Sequence, residues 1–413
     1  MLPYVVQLQI ALCLALFVAI PTSLILLCWK RKRKLGVRIL IICFLVGTAL
    51  LTFIFYPHTF KKSYRSNSRD LQMIALRAHA DAAHFYLGAA VDDLKTLSNS
   101  RFLATFNSIT PENALKMRQL VSNAQVDVYD FAKADAMVNF ALQQGLRVRG
   151  HTLVWGKLSD LFRDPDLEVY LHGFPVEDRA AALQRLIELY VKTVVGHFRG
   201  RIVTWDVVNE PLSIFHPGQL EHNVYWRYLG PGYIRTAFMQ AHKADPDAKL
   251  YLNEELSNFS GKRAEALINL VNQLKRAGVP IDGVGLQSHF IYALPSLAGF
   301  QSYLERLAKS GVTVEITELD ARLALFRSAD DPYIAQGQFY SSLLHSCLQN
   351  LACKGMTFWG FTDKHCWLDS LPLLFPKPNE PYLFDAELYA KPALRNLDLE
   401  LTNCAHSLMC RHR

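Results

Sequence analysis

The sequence predicts a (β/α)8 TIM barrel of the α/β class, preceded by an N-terminal membrane-anchoring helical segment. Eight short apolar runs alternate with amphipathic stretches between residues 84 and 361, the pattern of parallel strands buried on both faces and covered by helices. Two long uncharged apolar tracts flank a basic cluster within the first 60 residues. The charge is also divided unevenly. Of 44 Lys and Arg, ten lie in residues 1–69, which contain no Asp or Glu, so the remainder carries 34 basic against 37 acidic side chains. The formal +7 therefore belongs to the N-terminal tract, and a nucleic-acid-binding surface on the folded part is excluded. With 51% hydrophobic and 20% charged residues, the 413-residue chain is also not a disordered one.

In chain order, residues 1–60 read as the anchor, with spans at 5–29 and 39–56 around the basic run Lys30–Lys34. Basic loops stay in the cytoplasm, so everything after Tyr56 is expected on the extracytoplasmic side, at the cell surface or in a secretory lumen. A cleaved signal sequence or a single signal anchor leads to the same side. Residues 61–70 form a polar linker, 71–400 the barrel and 401–413 a C-terminal tail.

The eight apolar runs are His84 to Ala90, Thr105 to Thr110, Leu146 to Trp155, Ile202 to Glu210, Lys249 to Asn253, Gly283 to His289, Val312 to Asp320 and Gly355 to Phe361. Helical patterns fall at Phe131 to Gln144, Arg179 to Phe198, Gly261 to Ala277, Ser296 to Ser310 and Tyr333 to Gln349. Gly145, Gly200, Gly278 and Gly311 are placed to stop helices. Cys13, Cys28 and Cys43 lie in the apolar tracts; Cys347, Cys353, Cys366, Cys404 and Cys410 lie in the domain, without metal-ligand spacing. No metal and no cofactor are expected.

A barrel of this kind carries its chemistry at the C-terminal ends of its strands. Those ends read TPEN with Lys116, HTLVW, WDVVNEP, LNEE, QSH, TELD and WGFTDKHCW. Carboxylates, amides, imidazoles and indoles suit a carbohydrate, whereas a phosphate site would call for a Gly-rich loop. Glu210 ends the fourth run and Glu318 lies near the end of the seventh, so the barrel brings both to one mouth. Glycoside hydrolysis needs such a pair, one protonated and one ionised. Asn209 beside Glu210 helps to desolvate the acid, and His289 is placed to reach Glu318 across the mouth. Trp205 reads as core, and His197 and His242 as helix residues without a role.

The ordered set FNSITPEN, VRGHTLVW, WDVVNEP, GLQSHF, ITELDAR and WGFTDKHCW resembles the glycoside hydrolase family 10 endo-β-1,4-xylanases over roughly Leu71 to Leu397. The resemblance implies retaining, cofactor-free hydrolysis of internal bonds of xylan or a related β-1,4-glycan. It makes Glu210 the acid/base and Glu318 the nucleophile. Glu112, Asn113, Lys116, His151, Trp155, Asn209, Gln287, His289, Trp359 and Trp367 fall on sugar-contacting or orienting positions. The family often carries a close cysteine pair at the link between the last helix and the eighth strand. Together with an oxidising compartment, that implies a Cys347–Cys353 disulfide. Three departures stand out. Gly156, Lys157 and Leu158 follow HTLVW where the family has a sugar-binding Gln; Glu255 replaces a Tyr; and Cys366 replaces a Ser before the last Trp. The alternatives are a carbohydrate-binding pseudoenzyme and a transglycosylase on a related β-glycan; retention of both carboxylates favours an enzyme.

Overall fold

The computed structural model describes residues 62, 64–65, 76–122, 125–156, 167–372 and 374–407. The spans expected at 5–29 and 39–56 lie outside the described residues, and among the described ones no helix is long and apolar enough to cross a membrane. The chain forms two compact units. The larger comprises Lys62–Leu158, Arg163–Cys366 and Glu380–Arg413, and the smaller includes Trp367–Asn379.

The larger unit is a closed barrel of eight parallel strands, β1 (Tyr86–Val91), β2 (Ser108–Pro111), β3 (Arg147–Gly150), β4 (Thr204–Asn209), β5 (Lys249–Glu254), β6 (Gly283–Leu286), β7 (Thr313–Ala321) and β8 (Cys353–Phe358). Each strand pairs with the next in sequence, and β8 returns to β1 through Tyr86 opposite Gly355. All eight expected runs are strands. The run Leu146 to Trp155 is interrupted: β3 ends at Gly150, and Val154–Trp155 pairs separately with Val208 and Asn209 of β4. His289–Phe290 similarly makes a short extension beside Asp320 and Ala321.

The five expected helices are present as Ala132–Gln143, Arg179–His197, Lys262–Arg276, Leu297–Lys309 and Pro332–Leu348, and Gly145, Gly200, Gly278 and Gly311 all adopt positive φ just beyond four of them. The Lys262–Arg276 helix illustrates why the pattern folds this way: Ala264, Leu267, Ile268, Val271 and Leu274 lie along one face and are buried against the barrel. Asp331 caps the Pro332–Leu348 helix through the N–H groups of Tyr333 and Ile334. Further helices lie at Leu76–Ala82, before β1, at Ser100–Thr105, between β1 and β2, at Gly232–Ala244 and at Pro392–His406.

Inside the barrel the strands carry charge as well as apolar bulk. Arg149 is ion-paired to Asp206 and, at 3.2 Å, to Glu315; Arg147 makes a two-pronged contact with Glu315 at 2.8 and 3.0 Å. All but Arg147 are almost fully buried. Burial alone would raise the Asp206 and Glu315 carboxyls, but the guanidinium groups hold both below their ordinary range.

Three residues of the expected linker are docked on the barrel. Tyr64 is buried, stacks edge-on at 4.8 Å from Tyr333 and donates its hydroxyl to Asp385 at 3.0 Å, while Arg65 pairs with Asp385 and Lys62 with Glu380 at 3.3 Å. Cys347 and Cys353 form the expected disulfide between the Pro332–Leu348 helix and β8. Cys404 is also disulfide-bonded, and Cys366 is a buried thiol. Trp205 is fully buried, His197 pairs with Asp135 at 2.9 Å, and His242 is exposed on its helix.

Candidate active site

Strand ends β2 to β8 bring the expected residues of the larger unit to one mouth, and a chain of side-chain hydrogen bonds joins its two central carboxylates. Glu318 is nearly buried, and both its oxygens are held. Asn253 Nδ2 donates to Oε1 at 2.7 Å, and His289 Nε2 lies 3.1 Å from Oε2. Asn253, fully buried at the end of β5, also donates to Asn209 Oδ1 at 2.8 Å and accepts from Thr317 at 2.7 Å. Gln287 then bridges from Asn209 Oδ1 at 3.3 Å to Glu210 Oε1 at 3.1 Å. The path Glu318–Asn253–Asn209–Gln287–Glu210 thus runs through four strand ends. It depends on a close approach: a Cβ on Gly285 would stand 2.1 Å from Asn253 Oδ1, so β6 has glycine there.

The two histidines are fixed by acids behind them. His289 Nδ1 lies 3.0 Å from Asp320, so its ring is bracketed by two carboxylates. Burial would lower its pKa, but Asp320 and Glu318 together raise it well above the ordinary histidine value. His151 Nδ1 is 3.0 Å from Asp206 and 3.9 Å from Glu318 Oε1. Trp359 packs across both imidazoles, its ring 5.2 Å from His151 and 6.2 Å from His289.

Beside this centre, Lys116 Nζ lies 5.2 Å from the Trp155 ring centre and donates to Asn113 Oδ1 at 3.2 Å. Burial lowers the Lys116 pKa and raises that of Glu112, and each group's charge partly offsets the other's shift. These four are an aromatic and polar wall. Trp367 belongs to the smaller unit, where it opens the turn Trp367–Ser370 and packs at 6.1 Å against Phe375. Lys157 and Leu158 lie outside the described residues.

Glu210 has φ +52, a backbone conformation that non-glycine residues rarely adopt, and its N–H donates to Asn253 O at 2.8 Å. Two residues on, the Leu212 N–H donates to Glu254 Oε2 at 3.0 Å. Glu254 is fully buried and pairs at 2.6 Å with Arg263, whose other arm holds Glu255. Glu255, standing where an aromatic was expected, is therefore charge-matched by a helix residue eight positions later. Burial, opposed by Arg263 and reinforced by the charge of Glu210, pushes the Glu254 carboxyl up to about 7.

In the sequence Asn253 and Glu254 stand only as parts of the LNEE motif, and no local pattern assigns a role to Asp206 or Arg263. Asn253 was findable as a polar residue closing a strand. No local spacing rule links Glu254 with Arg263, nine positions on in the following helix, or His151 with Asp206, 55 positions on in the neighbouring strand.

The model of glycosyl hydrolase family 10 matches residues 75–398. Endo-1,4-beta-xylanase A of Phanerodontia chrysosporium is 35% identical over 326 residues, spanning 77% of this chain and 74% of that protein. Beta-1,4-xylanase of Dictyoglomus thermophilum is 36% identical over 317 residues, 72% of this chain and 86% of that protein. Among solved structures, xylanase 10B from Thermotoga petrophila RKU-1, in complex with xylobiose, superposes with a TM-score of 0.71 at 32% identity, covering 81% of this chain and 99% of that one.

Proposed function

This chain belongs to glycosyl hydrolase family 10, and we propose that it is a retaining endo-β-1,4-xylanase in which Glu318 is the nucleophile and Glu210 the acid/base. The observation that carries the reading is the hydrogen-bonded path from Glu318 to Glu210. It holds one carboxylate between a cation and an amide and sets the other in a turn at the same mouth. Asn253 and His289 orient the two oxygens of Glu318, so one of them can approach the anomeric carbon without a search over rotamers. As the glycosyl–enzyme bond forms, the glycosidic C–O bond breaks and Glu210 protonates the departing oxygen. Water then attacks the same carbon, Glu210 takes its proton, and Glu318 leaves as a carboxylate. The His289 imidazolium supports that regenerated charge.

Asn113, Lys116, Trp155, Trp359 and Glu112 are read as the sugar-contacting wall, with His151 and Gln287 orienting the centre and Trp367 as a further sugar-contacting residue. The substrate is xylan or a related β-1,4-glycan. Proton NMR of the first product should show the β-anomer before mutarotation. Glu318→Gln should abolish turnover of every substrate, and Glu210→Gln should spare kcat/KM only for glycosides whose leaving group needs no proton. Inversion of configuration, or a Glu210→Gln defect blind to the leaving group, would overturn the assignment.

The apolar tracts at 5–29 and 39–56 and the basic run between them support membrane attachment with the barrel outside the cytosol. Protease added to intact cells or sealed vesicles should digest the barrel; protection that persists when the extracytoplasmic side is opened would refute that placement.

A further inference from the structure

We propose that Glu254, together with Arg263, is a positioning residue for Glu210, clamping the turn that aims the acid at the leaving-group oxygen. The inference rests on reading Glu210 as that acid. Glu210 leaves β4 at φ +52 and is followed by Pro211, which has no N–H to donate. The turn is therefore tied by the donors on either side. Glu210 N–H goes to Asn253 O at 2.8 Å and Leu212 N–H to Glu254 Oε2 at 3.0 Å, so consecutive residues of β5 hold both.

Beyond the turn the chain folds back on itself. Ser213 N–H donates to Gln219 O at 2.9 Å, and Glu221 N–H to Pro211 O at 2.8 Å. Glu254 thus sits at the base of the loop 211–221. A left-handed backbone at a non-glycine residue persists only when its surroundings over-determine it. The Glu254 carboxylate is one of those determinants. Its other oxygen meets Arg263 at 2.6 Å, and Arg263 is in turn held by Glu255, so the clamp is anchored to the Lys262–Arg276 helix rather than left to rotate.

Burial pushes the Glu254 carboxyl up to about 7, and the Arg263 guanidinium and the Leu212 N–H are the groups that offset it. A carboxylate can accept from both Leu212 and Arg263 at once. These contacts fall on different oxygens, and an amide has only one accepting end, so Gln cannot keep both as they stand. Glu254→Gln therefore releases one side of the clamp with little change of volume.

The test uses the full chain and aryl β-xylobiosides of graded leaving-group ability. For Glu254→Gln, kcat/KM should fall about 10- to 100-fold with poor leaving groups and less than about threefold with 2,4-dinitrophenolate, which departs without a proton. Glu254→Asp, which keeps the two-acceptor charge, should recover part of the loss. The dinitrophenyl substrate also reports whether the variant is folded and whether Glu318 still attacks. Equal losses across the series, or no loss, would overturn the positioning role. Glu210→Gln in parallel separates the premise from the inference: if it too shows no leaving-group dependence, the acid assignment fails; if it does and Glu254→Gln does not, only the positioning role fails.

Discussion

Asn253 offers the sharpest perturbation of the centre, because it is fully buried and holds three partners with one amide. Replacing it with Ala deletes the donors to Glu318 at 2.7 Å and Asn209 at 2.8 Å and the acceptor of Thr317 at 2.7 Å. A hydrogen bond to an ionised group is worth about 1.5 to 3 kcal/mol, and each 1.4 kcal/mol is tenfold, so kcat/KM should fall about 10- to 100-fold. Asn253→Asp has nearly the same shape but places a second carboxylate where Nδ2 now approaches Glu318. Two carboxyls that close share a proton, and the upper pKa of the pair rises by roughly 2 to 3 units, or about 3 to 4 kcal/mol at 1.36 kcal/mol per unit. A carboxyl whose folded pKa is raised above its unfolded value of about 4 is harmless when protonated and increasingly destabilising as pH climbs towards the folded value. The Asp variant should therefore resemble the Ala variant near pH 4 and fall below it, in both denaturation midpoint and kcat/KM, by about pH 7. The assay is chemical denaturation with parallel aryl-xylobioside kinetics at half-unit pH steps. An Asp variant that tracks the Ala variant at every pH would refute the placement of Asn253 against Glu318.

His289 is held well above its ordinary pKa by Asp320 and Glu318, so its contribution to stability is complete below about pH 6.5 and is lost as pH rises through the folded value. His289→Gln should lower stability at neutral pH by about 3 to 5 kcal/mol and abolish that alkaline decline, as read from denaturation midpoints at alkaline pH; an unchanged alkaline slope would contradict the bracketed imidazolium. Leu158→Gln should raise kcat/KM on xylo-oligomers by restoring a hydroxyl partner. If the variant is no better on xylan and worse on another β-glycan, this departure is an adaptation and the substrate should be reassigned.

The sequence alone determined the barrel, because its signals are local and repeated. Eight buried apolar runs, amphipathic stretches between them and glycines at helix ends each follow from short-range periodicity and backbone sterics. The same logic located Glu210, Glu318, His289 and Gln287, since residues closing parallel strands must share a mouth wherever the barrel closes. The link between Cys347 and Cys353 is short enough for their pairing to be expected from the family resemblance, and the structure contains it. What the tertiary structure decided is which polar group faces which. Asn253 became the hub between the carboxylates because Gly285 on the neighbouring strand leaves room for its amide. Arg149 and Asp206 became the support behind His151 because two inward-facing charges 57 positions apart meet in the barrel interior. Glu254 and Glu255 are neighbours in the LNEE motif, and Arg263, on the following helix, turns back to hold both. Tyr64 looked like part of a solvated linker until Asp385, 321 positions away, supplied its partner. Periodicity records which face of an element is buried. It does not record the cross-chain electrostatics that decide whether a buried charge is tolerated, and those are fixed only when the barrel closes.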